Sequence, residues 1–160
     1  MNLEAVKIEM PEGCNLIFGM THFIKSVEDL HEMMVNSVPG VKFGLAFSEA
    51  SGDRLVRYSG NDPGLAQAAA DNVKRFACGH CFLIFMRDGY PVNVLQSLKN
   101  VYEVVTVFCA TANPVEAVIA RTAQGGAILG VVDGEPPLGI EDDVAKQKRH
   151  AFLRTIGYKL

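Results

Sequence analysis

No apolar run in this chain approaches the ~20 residues that a membrane-crossing helix needs, so a soluble protein without a membrane partner is expected. No secretory leader is expected either. The chain begins MNLEAVKIEM, which alternates apolar and polar residues and has neither a basic segment nor an apolar core, and a cytoplasmic location is the expectation. Charge of one sign is also scarce: 15 Lys and Arg against 18 Asp and Glu give a formal net charge of −3. The basic residues are scattered, which excludes the broad positive footprint of a nucleic-acid binder. Only four cysteines occur, Cys14, Cys78, Cys81 and Cys109, in or beside apolar runs where reduced thiols behave as small hydrophobes. A disulfide framework is therefore not expected. The 160 residues, 49% of them hydrophobic, suffice for one domain, 1–160, around one substantial core.

What is present reads as alternating strand and helix signals. Strand candidates are Leu3 to Ile8 and CNLIFGM from Cys14, joined by a turn at Pro11, Glu12 and Gly13. Ser26 before Glu28 and Asp29 marks a helix start, Val27, Leu30, Met34 and Val38 follow at helical spacing, and Pro39-Gly40 stops it. Phe43 to Phe47 and RLVRY from Arg54 form a hairpin across Ser51, Gly52 and Asp53. Asp62 as N-cap with Pro63 at the first position opens a second helix, with Leu65, Ala69, Val73 and Phe76 on its core face and Gly79 closing it. CFLIFM from Cys81 is apolar on both faces and reads as a central strand. A short helix at Val92 to Lys99 precedes the strands VVTVFC, VEAVIA and AILGVV. A last helix begins near Glu141, Asp142 and Asp143, with Val144, Phe152 and Ile156 on its apolar face. Several adjacent strands lack an intervening helix, so the expected class is α+β: one mixed sheet of seven or eight strands with helices packed against it.

Phosphate-binding signatures are missing. There is no GxxxxGK[ST], no GxGxxG after a strand and no protein-kinase motif set. Cys78-Gly79-His80-Cys81 has the Cys-x-x-Cys spacing of a thiol oxidoreductase, but here a helix ends and a strand begins, the reverse of the order that activates the first thiol. No second ligand pair completes a zinc site, and no metal ligands are assigned. Asp62, in the turn Ser59 to Pro63, reads both as a ribose acceptor or general base and as a plain N-cap. Thr111 and Asn113 precede Pro114 between two strands, where they either read an adenine edge or only shape the turn. His22 and Lys25 follow a strand into a helix, and Glu49 and Ser51 stand at a strand end. Gly125 and Gly126 let backbone amides approach a ligand or simply make a hairpin.

THFIKSVEDL from Thr21, SVPGVKFGLAFSEASG from Ser37, SGND from Ser59, FCATANPVEAVIA from Phe108 and FLRTIGYKL from Phe152 together resemble the adenosine-specific kinase family. The resemblance runs over essentially the whole chain. It implies a mixed α-β domain, a homo-oligomer of trimers or a hexamer, and binding of adenosine or AMP. On the matching stretches it singles out Thr21, His22, Lys25, Glu49, Ser51, Asn61, Asp62, Thr111 and Asn113. If the protein is a kinase, ATP and magnesium are its cofactors, with Asp62 as base and Lys25, Arg57 or Arg121 neutralising phosphate. The Gly-Ala-Gly-Asp turn of the large sugar-kinase adenosine kinases is absent. A non-catalytic adenosine or AMP sensor is the rival, and a thiol oxidoreductase using Cys78 and Cys81 the third reading.

Overall fold

The run from Cys81 is apolar at every position to Met86, a pattern stable only in a strand covered on both faces. In the computed structural model, which describes residues 1–160, it is the central strand of a five-stranded sheet. Leu83 and Phe85 enter one core, and Phe82, Ile84 and Met86 enter another on the opposite face. In chain order the elements are β1 (Asn2–Lys7), β2 (Asn15–Thr21), α1 (Ser26–Ser37), β3 (Lys42–Ser48), β4 (Val56–Gly60), α2 (Pro63–Phe76), β5 (Cys81–Arg87), α3 (Pro91–Lys99), β6 (Val104–Thr111), β7 (Val115–Arg121), β8 (Gly126–Asp133) and α4 (Asp143–Thr155). Eight strands and four helices form one α+β domain, the expected class.

The strands divide between two sheets where one mixed sheet was expected. Five follow the order β4-β3-β5-β2-β6, three the order β1-β7-β8, and every ladder is antiparallel. The tight turn between β7 and β8 permits only an antiparallel pair, and β1 joins β7 on its other side. The sole parallel pairing is one bridge, Cys78 to Gly126, which ties the turn between α2 and β5 to β8. α1 and α3 cover one face of the larger sheet through Leu30, Met34, Val94 and Leu98. α2 and the smaller sheet cover the other through Leu65, Val73, Phe76, Ala117 and Ile119. α2 crosses β3 at Gly44, where a Cβ would come within 2.5 Å of Ala66 Cα and nearer still to the backbone of Leu65.

α1 begins at Ser26, where a helix start was expected; Lys25 holds the cap position, and the buried Ser26 hydroxyl bonds that of Thr21 at 2.6 Å. Two local expectations are corrected. α2 is closed by Ala77 in the left-handed conformation (φ 49°) rather than by Gly79. The apolar face of α4 finds no core, for Val144 and Phe152 are each 59% exposed and no residue of the helix is buried. No helix is long and apolar enough to cross a membrane.

Candidate functional site

The antiparallel register separates the candidate residues into two groups at opposite ends of the sheets. At one end, Met20 pairs with Cys81 and Phe47 with Phe82, so Thr21, His22, Lys25, Glu49, Ser51 and the Cys78–His80 turn gather there. Gly125 and Gly126 reach the same end through the Cys78 bridge. At the other end, Gly44 pairs with Gly60 and Leu16 with Thr111, which places Asn61, Asp62, Thr111 and Asn113 there. A seven-residue strand separates the two ends by roughly 20 Å.

The first end holds a pocket of about 710 Å³ between the sheets. Its wall comes from Met20 at the end of β2, Ser48 at the end of β3 with Glu49 and Ala50 after it, Arg54 before β4, Ala77 to His80 after α2, and Thr122 with Gln124 to Ala127 around the β7–β8 turn. The turn that carries Cys78 and Gly79 is bounded by two residues in the left-handed region, Ala77 and His80 (φ 60°), and such backbone in non-glycine residues costs energy and concentrates at functional sites. His80 is held there by its N–H, which donates to Ser48 O at 2.8 Å. Its ring stacks on Phe47 at 5.9 Å and 15°, and its nitrogens make no hydrogen bond within the protein. Gly126 is required by close approach: a Cβ would lie 2.7 Å from Cys78 Sγ and closer to the Arg121 guanidinium.

Each cation named from the sequence is already engaged. Lys25 is paired with Asp29 and the buried Glu103, and these two carboxylates push its ammonium up to about 12. Arg57 contacts both oxygens of Glu49 at 3.1 and 3.2 Å. The Leu55 amide first, and then Arg57, hold the Glu49 carboxyl below its usual range. Arg121 donates through Nε to Glu4 at 2.6 Å and through Nη1 to Phe76 O at 2.6 Å and Ala77 O at 3.2 Å, capping the negative end of α2. Arg54, in the left-handed region at φ 52°, lines the pocket without any side-chain partner. It was hidden within the strand-like run RLVRY, whose strand begins only at Val56.

At the second end, Asp62 Oδ1 accepts from Leu65 N at 3.1 Å as the α2 N-cap, and Oδ2 faces Arg87 at 3.7 Å. The Asn61 side chain accepts from Phe43 N at 2.9 Å and donates to Val41 O at 2.8 Å, tying the strand ends together. Thr111 Oγ1 accepts from Asn113 N, and Asn113 Nδ2 donates to Asp133 at 3.1 Å. Back at the first end, His22 Nδ1 lies 3.0 Å from Glu103 O. All four cysteines are free and buried, and burial pushes the Cys78 and Cys81 thiols up, away from the reactive thiolate. No three His, Cys, Asp or Glu side chains converge as a metal site would require.

A family model described as adenosine specific kinase matches residues 6–159. No curated protein matches the chain. Among solved structures, the crystal structure of the PH1918 protein from Pyrococcus horikoshii OT3 is 41% identical, with a TM-score of 0.96 over 99% of this chain and 98% of that one.

Proposed function

The chain belongs to the adenosine-specific kinase family, and on that premise we propose that it binds adenosine and AMP in the pocket formed by Glu49, Arg54, His80 and the Gly125–Gly126 turn. Support comes from the strained Ala77–His80 turn, which presents the only aromatic surface of the pocket, the unbonded His80 ring. Purines stack on such a ring, and Gln124 carries an amide group that reads a heterocycle edge, while the Thr122 hydroxyl is spent within the turn on Gly125 O and on the Gln124 and Gly125 amides. The observation that carries AMP recognition is Arg54, the one arginine or lysine in the pocket wall, free of any carboxylate. Asp62 is in this reading a helix cap, and Arg121 holds the wall without touching the ligand.

Phosphoryl transfer to adenosine needs ATP and magnesium. The pocket offers no convergent donor set for a metal, and its carboxylate Glu49 is committed to Arg57 and the Leu55 amide. No transfer step is assigned to these residues. The same commitment of Glu49 favours the second reading, a nucleoside sensor that binds without turnover. Self-association as a trimer or hexamer is part of the proposal, supported by the apolar residues left exposed on α4 and before it, among them Leu138, Ile140 and Phe152.

Ligand-induced thermal shifts across adenosine, AMP and other nucleosides test this reading, because native-state ligands raise the melting temperature by mass action. Adenosine and AMP are expected to stabilise the protein selectively. Arg54→Ala should weaken AMP about tenfold and leave adenosine within about twofold, since only the phosphate meets the guanidinium. Equal losses for both ligands would remove Arg54 from phosphate recognition.

A further inference from the structure

β4 is an edge strand of the larger sheet, and its register pairs Ser59 with Leu45. Cross-strand partners share a face, and Leu45 belongs to the core that packs under α1, so Ser59 points at that helix. The facing residue on α1 is His31, which follows the buried Leu30 and is half-buried at the margin of the packed face. Its Nδ1 lies 2.8 Å from Ser59 Oγ. The ring stands edge-on to Phe43, with centroids 5.0 Å apart and planes at 66°, and this contact orients the imidazole towards the hydroxyl. Glu28, one helical turn earlier, and Glu32 line a recess of about 250 Å³ together with His31 and Ser59. A hydroxyl bonded to an imidazole beside a recess has the parts of a nucleophile and its base. We propose that Ser59 and His31 form an acyl-transfer dyad that hydrolyses small neutral or cationic esters.

Ser59 Oγ attacks the ester carbonyl while its proton passes to His31 Nδ1. The bond to the leaving alcohol then breaks, the imidazolium gives the proton to the departing oxygen, and Ser59 holds the acyl group as an ester. Water repeats the sequence. Its proton goes to His31, its oxygen attacks the acyl carbon, and the acid leaves as Ser59 Oγ regains a proton. Asn61 N donates to Phe43 O, and the alternation of an antiparallel ladder then leaves the Gly60 amide without a β3 partner, facing the open edge of β4. Directly after the nucleophile, that amide is a backbone donor for the oxygen on which negative charge develops. The two carboxylates give the recess a negative field that admits neutral and cationic esters and repels anionic ones. Its size suits a short acyl chain.

The probe is p-nitrophenyl acetate. Mixing it with the protein is expected to release a burst of about one equivalent of p-nitrophenolate per chain, then slower turnover, with the acetyl group on Ser59 in peptide mass spectra. Ser59→Ala should abolish the burst. His31→Gln, which keeps a hydrogen bond to Ser59 but cannot take its proton, should slow acylation about a hundredfold. A tie that only joins α1 to β4 would show no such loss. Glu28→Gln with Glu32→Gln changes two exposed side chains and leaves the dyad in place. It should raise the rate with mono-p-nitrophenyl succinate, an anionic ester, about tenfold relative to the acetate, and that ratio is readable even where a dyad variant fails to fold. Absence of acetyl on Ser59 overturns the proposal, as does acetyl spread over lysines with a rate unchanged in Ser59→Ala or His31→Gln. An unmoved succinate-to-acetate ratio overturns the recess as the substrate site.

Discussion

Gly44→Ala is expected to destabilise the protein by about 3 kcal/mol, lowering the melting temperature by about 6–12 °C. A methyl group here would sit among backbone atoms of Leu65 and Ala66, and backbone cannot rotate away as a side chain can. The first turn of α2 would have to lift from β3, opening the core at Leu65 and Ala69, both buried. Calorimetric unfolding of the variant measures the loss. A change below about 1 kcal/mol would mean that helix and strand are less closely apposed than described.

Arg121→Ala is expected to cost about 1.5–3 kcal/mol, because its guanidinium makes charge-assisted hydrogen bonds to Phe76 O, Ala77 O and Glu4. The side chain is 27% exposed, so its ion pair with Glu4 is partly screened and the carbonyl bonds carry more of the effect. Adenosine affinity should fall about tenfold as well, since Ala77 and Gly126 lose the group that holds them in register. Arg121→Lys should recover only part of both, because an ammonium cannot reproduce the forked geometry. Melting and titration of the two variants measure these effects together. An affinity loss without a stability loss would make Arg121 a ligand contact, as the sequence reading had it.

Signals confined to a few residues were legible before the fold. The Asp62-Pro63 start of α2 and the two-faced apolar run of β5 were readable because cap geometry and strand burial are local. So was the start of α1 at Ser26, from the acidic residues that follow it. Closure of α2 at Ala77 was missed because the group that holds it is distant in sequence. Arg121, 44 residues away, donates to the Ala77 carbonyl and helps to hold the cap. In the candidate site, Glu49, Gly125 and Gly126 were legible as strand-end and turn residues. That Asp62, Thr111 and Asn113 lie at the other end of the same chain was not legible, because strand partners and register set which ends meet, and neither is written in one strand alone. Arg54 was taken into its strand, and His80 into a structural turn.

Calorimetric titration of His80→Asn and Asp62→Asn with adenosine tests the proposal that adenosine occupies the His80 pocket while Asp62 serves as a cap. Asn tolerates the left-handed backbone at His80 and caps a helix about as well as Asp, so each variant preserves its local structure. His80→Asn is expected to weaken adenosine about tenfold or more, while Asp62→Asn is expected to change it by less than about twofold. Unchanged affinity in His80→Asn, with a tenfold loss in Asp62→Asn, would contradict it and move the nucleoside to the opposite end of the sheets.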